Sequence, residues 1–183
     1  MSTITEDLVY NETHSSTGVS NWDRTTASDD SKASFATVST GNGTINFGLT
    51  NLSQTPTSIT SAQMIHESNA GAAATVVIQA KMLNSSDTQI NTQYTSFSTV
   101  SDNTVGLTIH TTNDLTSAAF TENDINTLRI SLTYITESGA AGDSAIDHFY
   151  VRVIYEAPDP VGGLIKLNSG LVNLNSGLVK IIA

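Results

Sequence analysis

Four histidines, His14, His66, His110 and His148, are the first side chains to weigh for chemistry. Neutral imidazole binds zinc or relays protons. A metal site, however, needs ligands at short recurring spacing, and none of the four stands in an H-x-x-x-H arrangement beside a carboxylate. His148 directly follows Asp147, and on a strand two such neighbours point to opposite faces. All four read as surface or strand-edge histidines. Asp29-Asp30 and Asp102 offer the oxygen donors that calcium takes. The EF-hand spacing is absent, and aspartates that turn or cap the chain explain them more simply. Serine is plentiful, but no G-x-S-x-G elbow raises one into a nucleophile. Carboxylates such as Glu67 and Asp102 suit glycoside hydrolysis only at a defined spatial separation, which sequence distance does not supply. Gly41-Asn42-Gly43 is too short to cradle a phosphate and reads as a hairpin turn. Trp22, Tyr150 and Tyr155 would suit a sugar-stacking platform, but aromatics are 6% of the chain and a core needs them first. The expectation is a protein without catalytic residues, cofactor or metal, and not an enzyme.

The elements that must position these residues follow from composition and pattern. A length of 183 residues suits one domain with an appendage. There is no cysteine, which excludes disulfides and thiolate metal sites. With 7 basic against 17 acidic residues the net charge is -10, the wrong sign for replacing counterions on a nucleic acid. Only 13% of residues are charged. Polarity comes from Ser, Thr and Asn, Ser and Thr together being about a quarter of the chain. Thr-rich, Lys-poor sequence favours strands with hydroxyl-covered outer faces. The start, Met1-Ser-Thr-Ile-Thr-Glu-Asp7, lacks the basic and apolar regions of a signal peptide. Residues 70–80 are too short and too interrupted to span a bilayer, so no membrane partner is expected.

Residues 1–20 are polar apart from Leu8-Val9-Tyr10 and read as an arm or a peripheral strand. Beyond Trp22 the chain reads as short strands with turn chemistry between them. Alternating stretches cover residues 33–39, 44–49, 58–66, 93–100, 105–110, 128–135 and 146–155, and the β-branched run Thr75-Val-Val-Ile78 reads as a buried strand. On the last of these, Phe149, Val151, Val153 and Tyr155 share one face, and Tyr150, Arg152 and Ile154 the other. Thr121-Glu-Asn-Asp124 predicts one helical turn, with Thr121 as N-cap and Asp124 at the third position. About eight strands without a βαβ rhythm predict an all-β fold: an antiparallel, jelly-roll-like β-sandwich carrying a C-terminal β-repeat appendage. The expected division is an arm over 1–20, the sandwich over 21–157, and a Pro-containing linker with repeats over 158–183.

The order of segments carries a resemblance. Trp22 is followed by Asp29-Asp30-x-x-Ala33-x-Phe35-Ala36-Thr37, then an alternating strand, then Pro56-Thr-Ser-Ile-Thr60, then Asn123-Asp124-Ile125, then Asp147-His-Phe-Tyr-Val-Arg-Val-Ile-Tyr155. Over residues 20–156 this resembles a β-sandwich module of structural proteins in tailed bacteriophages. It departs from that pattern in lacking a Gly in the Pro56 segment and a Trp before Asn123. The resemblance implies a virion component made in the host bacterial cytoplasm, such as a capsid decoration or cement subunit. The alternative it leaves open is a tail or neck fibre, receptor-binding or carbohydrate-binding component. Its implied partners are the major capsid protein or neck and tail proteins, and further copies of itself, for instance in a trimer.

The C-terminal 21 residues repeat one heptapeptide: Gly163-Leu-Ile-Lys-Leu-Asn-Ser169, Gly170-Leu-Val-Asn-Leu-Asn-Ser176 and Gly177-Leu-Val-Lys-Ile-Ile-Ala183. Leu164, Leu167, Leu171, Leu174, Leu178 and Ile181 fall at coiled-coil a and d positions. Each interior glycine would cost a helix about 1 kcal/mol relative to alanine, and Asn-Ser helps little. Strands joined by three-residue turns at Asn168-Ser-Gly170 and Asn175-Ser-Gly177, with the glycine left-handed, fit better. One face would then gather Ile165, Leu167, Val172, Leu174, Val179 and Ile181. The other would carry Lys166, Asn173 and Lys180 among leucines. A sheet so small is not stable alone and must lie on something. Leu164, Ile165, Leu167, Leu171, Val172, Leu174, Leu178, Val179, Ile181 and Ile182 are therefore the expected interface for oligomerisation or docking.

Overall fold

The structure is a computed structural model that describes residues 1–20, 25–26, 33–35, 43–69, 75–97, 103–138, 145–159, 163–167 and 170–174. Strands dominate it: β1 (Ser2–Thr17), β2 (Val19–Ser20), β3 (Ala33–Phe35), β4 (Thr44–Leu49), β5 (Ser58–Asn69), β6 (Thr75–Leu83), β7 (Gln89–Phe97), β8 (Asn103–Gly106), β9 (Thr112–Asn113), β10 (Ala118–Ala119), β11 (Arg129–Ser138), β12 (Ala145–Ala157), β13 (Gly163–Leu167) and β14 (Gly170–Leu174). One short helix, α1 (Glu122–Asn126), precedes β11.

Pairing resolves the fold into two sheets that share β1. In the first, the order is β1–β12–β5–β8, all antiparallel, with β3 and β2 continuing beyond the start of β12. In the second, the order is β1–β4–β11–β6–β7, again antiparallel. Apart from the β6–β7 hairpin, consecutive long strands step between the sheets, as in the double Greek key of a jelly roll. The sheets close on one apolar core. Phe47 of β4 meets Phe149 of β12 edge to face, ring centroids 5.4 Å apart. Around them Leu8, Ile45, Met64, Ile78, Met82, Ile130, Leu132, Val151 and Val153 are buried. The expected alternation on the last strand holds: Phe149, Val151, Val153 and Tyr155 face this core. Leu128, just before β11, and Ile130 and Leu132 on it do so too.

Residues 1–20 sharpen the sequence reading. Of the two readings, an arm or a peripheral strand, Ser2–Thr17 form the strand, paired into both sheets. Ser2–Val9 pairs with β12 in the first sheet, and Tyr10–Thr17 pairs with β4 in the second. β1 is thus the corner strand that carries the chain from one sheet to the other, and the irregular pairing at Tyr10/Glu12 marks the bend. Leu8 sits wholly buried just before it. Just before β11, the predicted cap is present. Thr121 Oγ1 accepts from the Asp124 amide at 3.1 Å and Asp124 Oδ2 accepts from the Thr121 amide at 2.8 Å, a complete capping box. Asn126 Oδ1 then accepts from the Leu52 amide at 2.9 Å, fixing the helix end against the β4–β5 connection.

Candidate functional site

The first two C-terminal repeats form strands, as their turn-rich composition predicts. β13 and β14 pair antiparallel with Ile165 opposite Val172, Gly163 opposite Leu174 and Leu167 opposite Gly170. That register puts Ile165, Leu167, Val172 and Leu174 in one set of positions and Leu164, Lys166, Leu171 and Asn173 in the other. Gly170 belongs to β14, opposite Leu167, and the expected turn falls on Asn168 and Ser169, which lie outside the described residues. Leu178, Val179, Ile181 and Ile182 lie outside the described residues, as does the second turn. Among the described residues, β13 and β14 make a two-stranded sheet of their own, with no ladder to the sandwich. The segment that leads to them leaves the sandwich at a fixed place. Asp159 takes an ion pair from the Met1 amino group at 2.5 Å and a hydrogen bond from Ser2 Oγ, beside the start of β1.

The other sequence-selected residues do not converge. Tyr155 is fully buried, and its hydroxyl donates to Glu6 Oε2 at 2.8 Å, so its face is unavailable for stacking. Tyr150 lies on the opposite side of β12, covered by Arg152, 5.4 Å above the ring, and by His148, centroids 4.7 Å apart. Arg152 in turn is held by Asp7 through two 2.8 Å hydrogen bonds, which raise its pKa. Trp22, Asp29, Asp30, Asp102, Gly41 and Asn42 lie outside the described residues. Among the described residues, no group of three or more His, Asp or Glu side chains is placed to hold a metal. The histidines are not all peripheral. His66 is buried inside the sandwich, where Nδ1 lies 2.8 Å from Ser68 Oγ. Burial lowers its pKa from 6.5 to about 4, because the charged ring would lose its water there.

A groove that the sequence did not announce lies on the outer face of the second sheet. Tyr10 pairs with Leu49 and Glu12 with Gly48, leaving Asn11 as an extra residue; Thr13 pairs with Phe47 and Ser15 with Asn46, leaving His14 as another. Two closely spaced bulges thus re-aim this stretch of β1. Gly48 pairs with Glu12 on one side and with Arg129 on the other, so the three form a cross-strand row. A Cβ on Gly48 would stand 3.2 Å from His14 Nε2 and 3.4 Å from Glu12 Cγ. The imidazole and carboxylate therefore fold over the floor that glycine leaves, with His14 Nε2 3.6 Å from Glu12 Oε1. The far wall is the end of α1 at Asn126 and Thr127, Ser85 of the β6–β7 turn, and Arg129. Arg129 Nη1 is held by Asp87 at 2.9 Å. Together with Asn11, Asn51 and the buried Leu49 and Leu128, these enclose an open groove of about 360 Å3.

No family model matches the sequence, and no curated protein matches it. Solved structures resemble it at low identity. The chain is similar to part of the arabinose-bound α-L-arabinofuranosidase MgGH51, at 12% identity and a TM-score of 0.44 over 69% of this chain and 21% of that one. It is similar to part of the enzymatically active domain of tailspike protein 4 of bacteriophage CBA120, at 8% identity and a TM-score of 0.41 over 82% of this chain and 19% of that one. A third likeness is to a protein of the T13 IBDV viral particle, at 11% identity and a TM-score of 0.34 over 84% of this chain and 31% of that one. The chain thus spans a third or less of the length of each. Likeness at this level is too coarse to bear on function.

Of the groove residues, only His14 was singled out from sequence, and it was set aside as a surface residue. The usable signal was Gly48 itself, a glycine within an alternating strand, which marks a bulge or a close approach.

Proposed function

We propose that this chain is a structural protein of a tailed-phage particle. We assign it more narrowly as a capsid decoration or cement subunit that stabilises the particle through protein contacts and has no catalytic role of its own. The observation that carries the reading is the separate β13–β14 sheet. A two-stranded sheet buries too little to be stable by itself, so the repeats are built to lie against another surface. The supports are the jelly-roll sandwich behind it and the segment order that resembles phage structural modules. The partners in this reading are the major capsid protein and further copies of the chain.

The test is removal of residues 161–183. The truncated chain should keep its β-sheet circular dichroism and a cooperative melt, yet no longer cosediment with particles assembled without it. A full-length Ile165→Asp/Val172→Asp variant, altered at one opposed pair of the hairpin, should behave the same way. Undiminished particle binding by both proteins would refute the docking role of the repeats.

A further inference from the structure

The polar groove over Gly48 has no part in the docking reading, and it is constructed rather than incidental. Two bulges turn Asn11, Glu12 and His14 toward one patch of sheet, and the missing side chain of Gly48 lets His14 and Glu12 lie close over it. We propose that this groove binds a short neutral saccharide, whose hydroxyls exchange hydrogen bonds with Asn11, Glu12, His14 and Asn51. The lining selects that class of ligand over its competitors. An anion needs an uncommitted cation, and Arg129 is already taken by Asp87 while Glu12 adds negative charge nearby. A peptide needs an apolar anchor or an open strand edge. Here Leu49 and Leu128 are buried in the floor and give no apolar anchor, and the edge that β1 presents is broken by the two bulges at Asn11 and His14. What the groove does offer is a set of short amide, carboxylate and imidazole groups that both donate and accept. Its size falls in the range of small-molecule sites. Among the described residues the groove has no aromatic platform, so recognition rests on hydrogen bonds and the expected affinity is modest.

The experiment uses the full chain. A glycan array carrying bacterial surface oligosaccharides supplies candidates. Heteronuclear NMR titration with the retained sugars, and with glucose, galactose, mannose, rhamnose and N-acetylglucosamine, maps the site. Inorganic phosphate and tri-alanine serve as competing probes. The expected result is saturable shifts at Asn11, Gly48, Asn126 and Arg129, millimolar or tighter. Affinity should fall at least tenfold in Asn11→Ala and in Glu12→Gln, both at exposed positions. Gly48→Val should abolish binding, since its side chain would occupy the space that His14 and Glu12 now close over. The proposal is overturned if no saccharide is retained or shifts these amides. It is equally overturned if affinity is unchanged in both exposed variants, or if phosphate or tri-alanine occupies the groove instead. Particle binding through the repeats is read separately, so either reading can fail alone.

Discussion

Acid should weaken this fold through one histidine. His66 lies on β5 opposite Phe149. Its ring borders, with Ile78, Leu107, Leu132, Ile146 and Phe149, a gap in the core too tight to admit water. A proton added there creates a charge that the surroundings do not solvate, which is why the folded pKa drops from 6.5 to about 4. The unfolded chain binds that proton more readily than the folded one. The contribution of the neutral ring to stability is therefore complete above pH 6.5 and is lost as pH falls from 6.5 toward 4. A gap of roughly two and a half pH units at 1.36 kcal/mol each makes the loss about 3 kcal/mol, a large part of a typical domain's stability. The assay is urea unfolding at closely spaced pH values from neutral to about pH 4, for the wild type and for His66→Asn. Asparagine keeps a polar group in reach of Ser68 but cannot titrate. It will lower stability at every pH by loosening the core, so the slope and not the intercept carries the information. Every other titratable group is common to both proteins, so its contribution cancels in the difference. The wild type should lose about 3 kcal/mol relative to the variant across this window. Parallel curves would show that the ring is solvated or paired in its charged form, and the reasoning would fail.

Two further substitutions probe how the sandwich is held. Phe47→Ala removes the ring that joins the sheets through Phe149 and that Tyr10 approaches at 6.0 Å, and should cost about 3–5 kcal/mol in chemical denaturation. A cost near that of an exposed site would mean the sheets do not share this contact. Gly106→Ala would place a Cβ 2.7 Å from Gln63 Nε2, which donates to the Leu107 carbonyl at 2.7 Å. Losing that bond should cost about 1 kcal/mol. The cost should shrink in a Gln63→Ala background, and an undiminished cost there would place the strain elsewhere.

Much of the scaffold was legible because alternation is a direct print of a sheet with one wet and one dry face. Phe149, Val151, Val153 and Tyr155 announce their strand, and Thr121 with Asp124 announce the helix cap. The repeats announce strands because glycine and Asn-Ser disfavour a helix more than the heptad spacing favours one. β1 hides for the converse reason. It changes sheets part-way, and much of it is solvent-exposed, so Leu8 alone among its residues is buried outright. His66 hides because its class of side chain is more often found at surfaces. Only the partner strands on both sides, β12 and β8, determine that it is enclosed.

The groove hides for a deeper reason. A bulge is a mismatch between two strands, and neither strand's sequence records it alone. Asn11 and His14 become extra residues only relative to β4, and Gly48 becomes a floor only relative to them. Such a feature is costly to keep unless something uses it, since each unpaired position forgoes part of the ladder. The same chain places its other unmatched surface, the repeat hairpin, beyond the point where Asp159 is held beside Met1. The two surfaces are thus built from different parts of the sequence and lie on different sheets. One is apolar and repetitive, and suits attachment to protein. The other is polar and singular, and suits a small ligand. A subunit fixed to a particle by the first leaves the second free to act, and the two proposals stand or fall on separate measurements.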